Sequence, residues 1–314
     1  MMSSASAVPK LDIIDKRILL ALDTNCRLSY QSLADILGMT TNAARKRVER
    51  LIATHVIEEF VVILRPAVTG SDYLIAMVST DGTEDENEFI DLMAENPKVI
   101  QNGQIVTSAG RLYFVNCEYV GAAGLQSLGT FFRKLRPVTK VELHTILVEQ
   151  GKDFEIKKTH LRILKCLLED ARISISEISE RTRLTARRVS KTIQEMLDSN
   201  AFWFAVRWNL SFGDNTEFYL RVTYDEANSQ KDEIDEWLRT AYPLEYWFSF
   251  SVALEPILFA KFVTEHFRDA EQISQAVKGQ PFSRAVDVLL SYPVKKYPRL
   301  GWRRIKEMID EAGI

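Results

Sequence analysis

Apolar residues near the start of the chain recur three times in succession at the spacing of an amphipathic helix. The spacing predicts helices over 11–23, 29–37 and 42–53, and Gly38 ends the second of them. In the third helix the inner positions are apolar and the outer positions are polar or basic. A strand-like segment follows over 56–64. This order predicts a helix-turn-helix domain with a strand, or wing, behind it.

Beyond residue 72 the pattern changes to the alternation that is typical of strands. Through residue 148 it gives strand, helix, strand, strand, helix and strand, which is the order of a ferredoxin-like domain. Such a sheet carries helices on one face only. Because the other face must also be covered, the pattern favours pairing with a second sheet of the same kind.

The same elements occur again at a constant offset of 145 residues, the separation of Arg17-Ile18-Leu19 from Arg162-Ile163-Leu164. A constant offset over so long a stretch indicates two tandem copies of one unit. The predicted fold class is α+β: two winged helix-turn-helix domains alternate with two ferredoxin-like βαββαβ domains, and the internal tandem repeat folds as a pseudo-dimer. The expected boundaries are a flexible tail over 1–9, winged helix-turn-helix domains over 10–65 and 151–210, a ferredoxin-like sensing or assembly domain over 66–150, and a second one with a C-terminal helix over 211–314.

The third helix of each copy is basic, although the net charge of −3 alone argues weakly against nucleic acid. A basic helix after a turn is the element that enters the major groove in helix-turn-helix proteins. The predicted contacts to double-stranded DNA are Thr40, Thr41, Asn42, Arg45, Lys46, Arg47, Arg50, Thr185, Arg187, Arg188 and Lys191. Arg45 and Arg47 are expected outside the inner face of their helix, and Leu51 in the core. The first copy is favoured over the second, where Arg183 stands in place of Gly38.

Composition limits the other classes of function. No run of about 18 apolar residues is present, so no membrane span is expected. The small, polar start lacks the basic and apolar regions of a signal peptide. The three cysteines are far apart and lack metal-ligand spacing, which predicts reduced thiols in a cytoplasmic protein. No metal, no cofactor and no catalytic residue is expected.

A known family matches these patterns. The segment LDIIDKRILLALDTNCRLSYQSLADILGMTTNAARKRVERL is similar to the N-terminal helix-turn-helix of the leucine-responsive regulator (Lrp/AsnC) family, and the following βαββαβ unit resembles that family's ligand-sensing, dimer-forming domain. The resemblance implies a transcription regulator that reads DNA through its third helix. It implies paired sheets within the chain, with a homo-dimer or a higher oligomer as a further expectation.

The resemblance also implies an effector loop, at Gly110 and Arg111 in this chain. In the family the loop glycine is followed, after two residues, by an aspartate, and here that acid is missing. An amino-acid ligand needs an acidic partner for its ammonium group. The usual amino-acid effector is therefore not expected, and the effector is left unassigned.

Two other classes of function stay open. Siroheme decarboxylases of haem biosynthesis resemble the chain in their tandem order of domains, and this implies an arginine-histidine pair just after each winged helix. Here Arg65 is followed by Pro66 and Arg207 by Trp208, so a proton donor is missing at that position and no enzymatic activity is expected. The aromatic cluster around Trp203 allows instead a protein-interaction module that has lost DNA binding.

Overall fold

The computed structural model forms two compact units, and each unit contains parts of both copies. The described residues are 11–106, 111–210, 215–291 and 295–314. Of these, the HTH unit contains 11–69, 149–210 and 300–314, and the sheet unit contains the rest. The predicted tail over 1–9 lies outside the described residues.

The helices and strands follow the predicted order in both copies. The first copy contains α1 (Ile13–Thr24), α2 (Tyr30–Leu37), α3 (Thr41–Ala53), β1 (Ile57–Leu64), α4 (Pro66–Thr69), β2 (Asp72–Thr80), α5 (Glu86–Ala94), β3 (Val99–Val106), β4 (Leu112–Tyr119), α6 (Gly121–Lys134) and β5 (Val138–Leu147). The second contains α7 (Lys158–Leu167), α8 (Ile175–Thr182), α9 (Ala186–Asp198), β6 (Phe202–Trp208), β7 (Thr216–Tyr224), α10 (Lys231–Ala241), β8 (Tyr246–Val252), β9 (Ile257–Thr264), α11 (Phe267–Lys278), β10 (Ser283–Ser291), β11 (Lys295–Lys296) and α12 (Leu300–Glu311). The α+β tandem fold is thereby confirmed, and the short α4 and β11 are additions that the sequence pattern does not predict.

Each helix-turn-helix encloses a small apolar core between its three helices. In the first copy Leu19, Val48 and Leu51 are buried, as the helical spacing predicts for the inner faces of α1 and α3. In the second copy Leu164 and Val189 are buried in the same way. The apolar faces anchor α3 and α9, and this leaves their opposite faces to solvent.

The two strands expected to be wings pair with each other. β1 and β6 form an antiparallel ribbon in which Val61 lies opposite Ala205 and Leu64 opposite Phe202. A single strand behind a helix-turn-helix leaves its backbone N–H and C=O groups without partners. The other copy supplies those partners, so the ribbon joins the two helix-turn-helix domains into one body.

The last helix belongs to the HTH unit. Sequence analysis places it in the second ferredoxin-like domain, whereas in the structure α12 packs against α7 and β1. Gly301 lies against Leu64 of the ribbon, and Ile305 and Ile309 are buried. These apolar contacts place α12 in the HTH unit, and the order of elements along the chain does not predict them.

The sheet unit is a single sheet that closes on itself. Its strands follow the order β10-β7-β9-β8-β5-β2-β4-β3, with β11 beside β3, and β10 also pairs with β3. One apolar cluster contains Phe114 of the first copy together with Tyr219 and Phe259 of the second. In each copy a further apolar cluster forms the core between the strands and that copy's own helices. The strands of the first copy and those of the second thus cover each other's open faces within this one closed sheet, and the predicted pseudo-dimer is confirmed.

Among the described residues, no helix has both the length and the apolar character that crossing a membrane requires.

Candidate nucleic-acid interface

The two third helices begin with the same kind of cap. Thr40 Oγ1 accepts a hydrogen bond from the Ala43 N–H, and Thr185 Oγ1 accepts one from the Arg188 N–H, each at 3.2 Å. These caps satisfy an N–H group that the helix itself leaves unpaired. In the first copy Thr41 Oγ1 also donates to Gln31 Oε1 of α2 at 2.5 Å. The predicted threonines therefore fix the first turn of each helix, which is the part that faces the bases in this class of domain.

The outer face of α3 carries Asn42, Arg45 and Lys46, which are all exposed. The Arg45 guanidinium lies 5.3 Å from the centroid of the Tyr30 ring on α2, within the range of a cation–π contact. Neither Arg45 nor Lys46 forms an ion pair within the described part of the chain. These two side chains therefore keep the positive charge that phosphate binding requires.

Arg47 and Arg50 of the same helix turn back onto α1. Arg47 Nη1 lies 2.8 Å from Asp12 Oδ2 and 2.8 Å from Asp15 Oδ1, and Arg50 pairs with the other oxygen of Asp15. Asp15 is fully buried, and a buried carboxylate requires compensation by opposite charge. Burial acts to raise the pKa of Asp12, but hydrogen bonds from the Asp15 N–H and from Arg47 outweigh it and lower that pKa. Arg47 lies beside the buried face of α3 rather than in it, and it helps to hold α3 on α1.

The second copy holds its third helix through a different pair of residues. His160 takes the position of Asp15, at the same offset of 145 residues, and only 3% of its surface is exposed. Glu195 takes the position of Arg50, and its Oε2 lies 3.6 Å from His160 Nε2. The residue that α9 contributes to this contact is therefore a carboxylate rather than two arginines.

The basic residues of α9 take no part in this contact. Arg187, Arg188 and Lys191 are exposed, and none of their side chains forms a hydrogen bond or an ion pair with a described residue. They occupy the positions of Asn42, Ala43 and Lys46 in α3. The outer face of α9 thus presents three unpaired cations, against Arg45 and Lys46 on α3.

Two arginines at equivalent positions join the helix-turn-helix domains reciprocally. Arg27 donates from Nη1 to the carbonyl of Ala171 at 2.7 Å and from Nη2 to that of Ile173 at 3.0 Å. Arg172 donates in return to the carbonyl of Cys26. Together with the β1–β6 ribbon, these bonds fix the position of α3 relative to α9.

The expected effector loop is represented by Arg111 alone, because Gly110 lies outside the described residues. Arg111 Nη1 donates to the carbonyl of Glu84 at 2.6 Å, and the Glu84 carboxylate accepts hydrogen bonds from Thr80 and Tyr113 at 2.7 and 2.8 Å. Burial would raise the pKa of Glu84, but these two hydrogen bonds outweigh it and lower that pKa. Arg111 is therefore tied to the start of α5, and its effector role stays a prediction.

A buried polar group spans the two copies inside the sheet unit. His144 of β5, of which 5% is exposed, lies with Nδ1 3.0 Å from Glu255 Oε2 and with Nε2 3.5 Å from Glu142 Oε2. Glu142 Oε2 is in turn 3.1 Å from Nη1 of Arg221 on β7. Burial acts to raise the pKa of Glu142, but the bond from Lys140 and the charge of Arg221 outweigh it and lower that pKa. Sequence analysis assigns no role to this imidazole, since a lone histidine in a strand carries no motif.

Comparison with known protein families assigns both helix-turn-helix domains to known types. Residues 11–52 match the AsnC-type helix-turn-helix domain family. The first helix-turn-helix is of the AsnC type. Residues 156–200 match a winged helix-turn-helix DNA-binding family. The AsnC-type domain and its duplicate thus confirm the predicted resemblance to Lrp/AsnC proteins.

Relatives of known sequence carry the same kind of domain. An uncharacterized HTH-type transcriptional regulator of Pyrococcus horikoshii is 26% identical over 149 residues, which cover 47% of this chain and 98% of that protein. Another from Pyrococcus furiosus is 34% identical over 71 residues, and this chain spans only about half, 47%, of its length. These HTH-type transcriptional regulators are therefore similar to less than half of this chain.

A solved structure similar to the whole tandem comes from an enzyme. The siroheme decarboxylase NirDL superposes with a TM-score of 0.55 at 14% identity, covering 96% of this chain and 100% of that one. Its complex with an iron-uroporphyrin III analogue gives a TM-score of 0.54 at 13% identity. This likeness shows a shared fold. It corrects the expectation of no enzymatic activity, because the fold that spans the AsnC-type tandem is also the fold of an enzyme.

The sequence interpretation missed the residues that anchor the third helices. Asp15 and His160 lie on the inner faces of α1 and α7, one turn before the buried Ile18 and Ile163. A polar residue at an apolar position of a helix is a signal that can be found by sequence alone. The sign of its partner's charge was equally visible, since Arg50 and Glu195 stand at equivalent positions.

Proposed function

We propose that this chain is a DNA-binding transcription regulator that holds duplex DNA through both recognition helices, with α9 as the stronger phosphate anchor. The proposal rests above all on the unpaired charge of α9. Lys and Arg side chains that are exposed and unpaired can neutralise phosphates without first breaking internal ion pairs. Location in the cytoplasm belongs to this proposal.

The first recognition helix would contribute fewer contacts. Arg45 and Lys46 are exposed, whereas Arg47 and Arg50 are paired with the α1 carboxylates. Because α3 and α9 differ in sequence but are held in one body, we expect an asymmetric DNA site rather than a palindrome.

Fluorescence anisotropy with a labelled 30-base-pair duplex of mixed sequence, at several salt concentrations, tests the proposal. Replacing Arg187 and Arg188 together with alanine should weaken binding and reduce the slope of log affinity against log salt by about 2, since each phosphate contact contributes about 0.9. The Arg45→Ala, Lys46→Ala pair should weaken binding less. Arg239→Ala, which removes an exposed arginine of the sheet unit, is the matched control and should change neither quantity.

Two results would contradict the proposal. A wild-type chain that binds the duplex no more tightly than an unrelated acidic protein rules out DNA binding. A double α9 variant that binds like the wild type rules out α9 as the anchor. Circular dichroism of each variant checks that the helices remain folded.

A second candidate is decarboxylation of a tetrapyrrole, favoured by the likeness to siroheme decarboxylase along nearly the whole chain. Loss of carbon dioxide from a carboxylate side chain leaves a carbanion that must take up a proton. His144 would be the donor, since it is buried in the sheet unit between two carboxylates and close to the Glu142–Arg221 pair.

Incubation of the chain with siroheme under reducing conditions tests this candidate. A shift of the siroheme absorbance with release of carbon dioxide, lost in His144→Gln, would support it. The absence of both signals at stoichiometric protein would refute it. The His266→Gln variant changes an exposed histidine on the sheet unit and serves as the control.

A further inference from the structure

An arginine occupies a left-handed backbone position in the turn before α9. Arg183 ends α8 with φ 55° and ψ 28°, and the equivalent position before α3 holds Gly38 with φ 66° and ψ 39°. Glycine adopts this conformation without steric cost, whereas a residue with a Cβ atom is strained there. The second copy therefore carries a side chain at a position where the fold favours its absence.

The Arg183 side chain forms no polar contact within the described residues that would compensate for this strain. It is exposed, and it forms neither a hydrogen bond nor an ion pair with any residue in the described ranges. A cation at the end of α8 interacts favourably with the helix dipole, but Arg181 already supplies one in the last turn of that helix. Internal stability thus gives little reason for an arginine at this position.

The surroundings of Arg183 give a different reason. It lies two residues before the Thr185 cap, and the unpaired cations Arg187, Arg188 and Lys191 follow on the outer face of α9. A long, unpaired cation beside the first turn of a recognition helix is placed to reach the DNA backbone next to the groove. Strained residues of this kind concentrate where binding requires them.

We propose that Arg183 is a DNA-phosphate contact of the second helix-turn-helix, retained despite its backbone strain. This inference rests on the proposed DNA binding by α9 and adds a residue that lies outside the helix. A phosphate contact strengthens binding to every duplex alike, and it carries no base preference.

The test replaces Arg183 with glycine and measures stability and binding together. Arg183→Gly should raise the melting temperature by about 2 °C, because the strain is removed. It should also weaken binding to the mixed-sequence 30-base-pair duplex, with the salt slope reduced by about 1. Arg183→Lys, which keeps the charge, should retain most of the affinity.

The reciprocal change adds a gain of function. Among the described residues, no heavy atom would lie within 4 Å of a Cβ atom added at Gly38, so Gly38→Arg can be accommodated apart from the backbone strain. This variant should melt at a lower temperature and bind the duplex more tightly. Asn200→Gly is the matched control, since Asn200 has the same φ of 55° but carries no charge, and it should leave binding unchanged.

The outcomes separate this inference from the proposed function. If the wild type fails to bind the duplex, the proposed function itself is refuted. If the wild type binds and Arg183→Gly binds equally well with the same salt slope, Arg183 contacts no phosphate and this inference is refuted. A fall in the melting temperature of Arg183→Gly would likewise overturn it, because the arginine would then be stabilising the fold.

Discussion

A buried polar residue on the first helix of each copy decides which residues of the third helix hold the two helices together. Asp15 pairs with two arginines of α3, and His160 lies against the Glu195 carboxylate of α9. The unpaired cations of α9 occupy other positions, those of Asn42, Ala43 and Lys46 in α3. The contacts that hold a third helix and the charge on its outer face are therefore set by different residues.

Asp15→Asn should destabilise the HTH unit by about 2 kcal/mol, because hydrogen bonds to a charged group are among the stronger ones and Arg47 and Arg50 would lose their shared partner. Urea unfolding followed by circular dichroism measures the change. Asp35→Asn is the control, since Asp35 is exposed on α2 and should cost less than about 0.5 kcal/mol. Equal losses in the two variants would contradict the role given to Asp15.

The contact between His160 and Glu195 in the second copy should weaken in mild acid, whereas the arginines that pair with Asp15 in the first copy keep their charge. Burial lowers the pKa of His160, and Glu195 opposes this shift while Lys157 and Arg188 add to it. His160 Nδ1 also accepts the Lys157 N–H at 2.9 Å, which requires that nitrogen to be unprotonated. The unfolded chain therefore takes up the proton at a higher pH than the folded chain does. The stability that the neutral His160 contributes is fully present above the ordinary histidine pKa of about 6.5, and it falls as the pH drops below that value.

Urea midpoints at pH 7.5 and pH 5.5 measure this dependence. His160→Asn keeps an acceptor for the Lys157 N–H but does not titrate, so the difference between the two pH values should shrink. His266→Asn changes an exposed histidine and should leave the difference as it is in the wild type. A wild-type protein with equal midpoints at both pH values would refute the assignment.

At the scale of elements, what the sequence predicts depends on how local the cause is. The three helices of the first helix-turn-helix and the βαββαβ order follow from residues close together in the chain, and these predictions are confirmed. The pairing of β1 with β6 and the docking of α12 depend on surfaces brought together from distant parts of the chain. The ion pair of Arg47 was not predicted for the same reason, because its partner Asp15 lies on another helix.

The docking of α12 makes a specific prediction about its glycine. A Cβ atom on Gly301 would lie 2.9 Å from Leu64 Cβ, an atom fixed to the backbone of the ribbon. Gly301→Ala should therefore destabilise the HTH unit by about 1–3 kcal/mol, the usual cost of overpacking. In Gly124→Ala the nearest atom is Tyr119 Cβ at 3.5 Å, an ordinary contact, so this helix variant should be neutral or slightly stabilising. Thermal melts of both variants decide between these outcomes.

At the scale of the whole molecule, the two copies have become complementary rather than identical. Arg221 of the second copy meets Glu142 of the first, and Glu255 of the second meets His144 of the first. In the first copy Met77 pairs with Glu142 across β2 and β5, and in the second copy Arg221 pairs with Asp287 across β7 and β10. Asp287 is the repeat equivalent of Glu142, so Met77 is the first-copy equivalent of Arg221. A first copy paired with itself would therefore offer Met77 where Glu142 now finds an arginine.

This one-sided pairing predicts that the halves of the chain recognise each other. Residues 1–148 and 149–314, produced separately and mixed, should form a 1:1 complex, because the first half alone leaves the half-buried Glu142 carboxylate without its arginine partner. Native mass spectrometry of the mixture measures the stoichiometry. Arg221→Met in the second half installs the residue that the first copy carries there, and it should weaken the complex. A stable homodimer of the first half that excludes the second would show that apolar burial alone, without these ion pairs, decides which sheets associate.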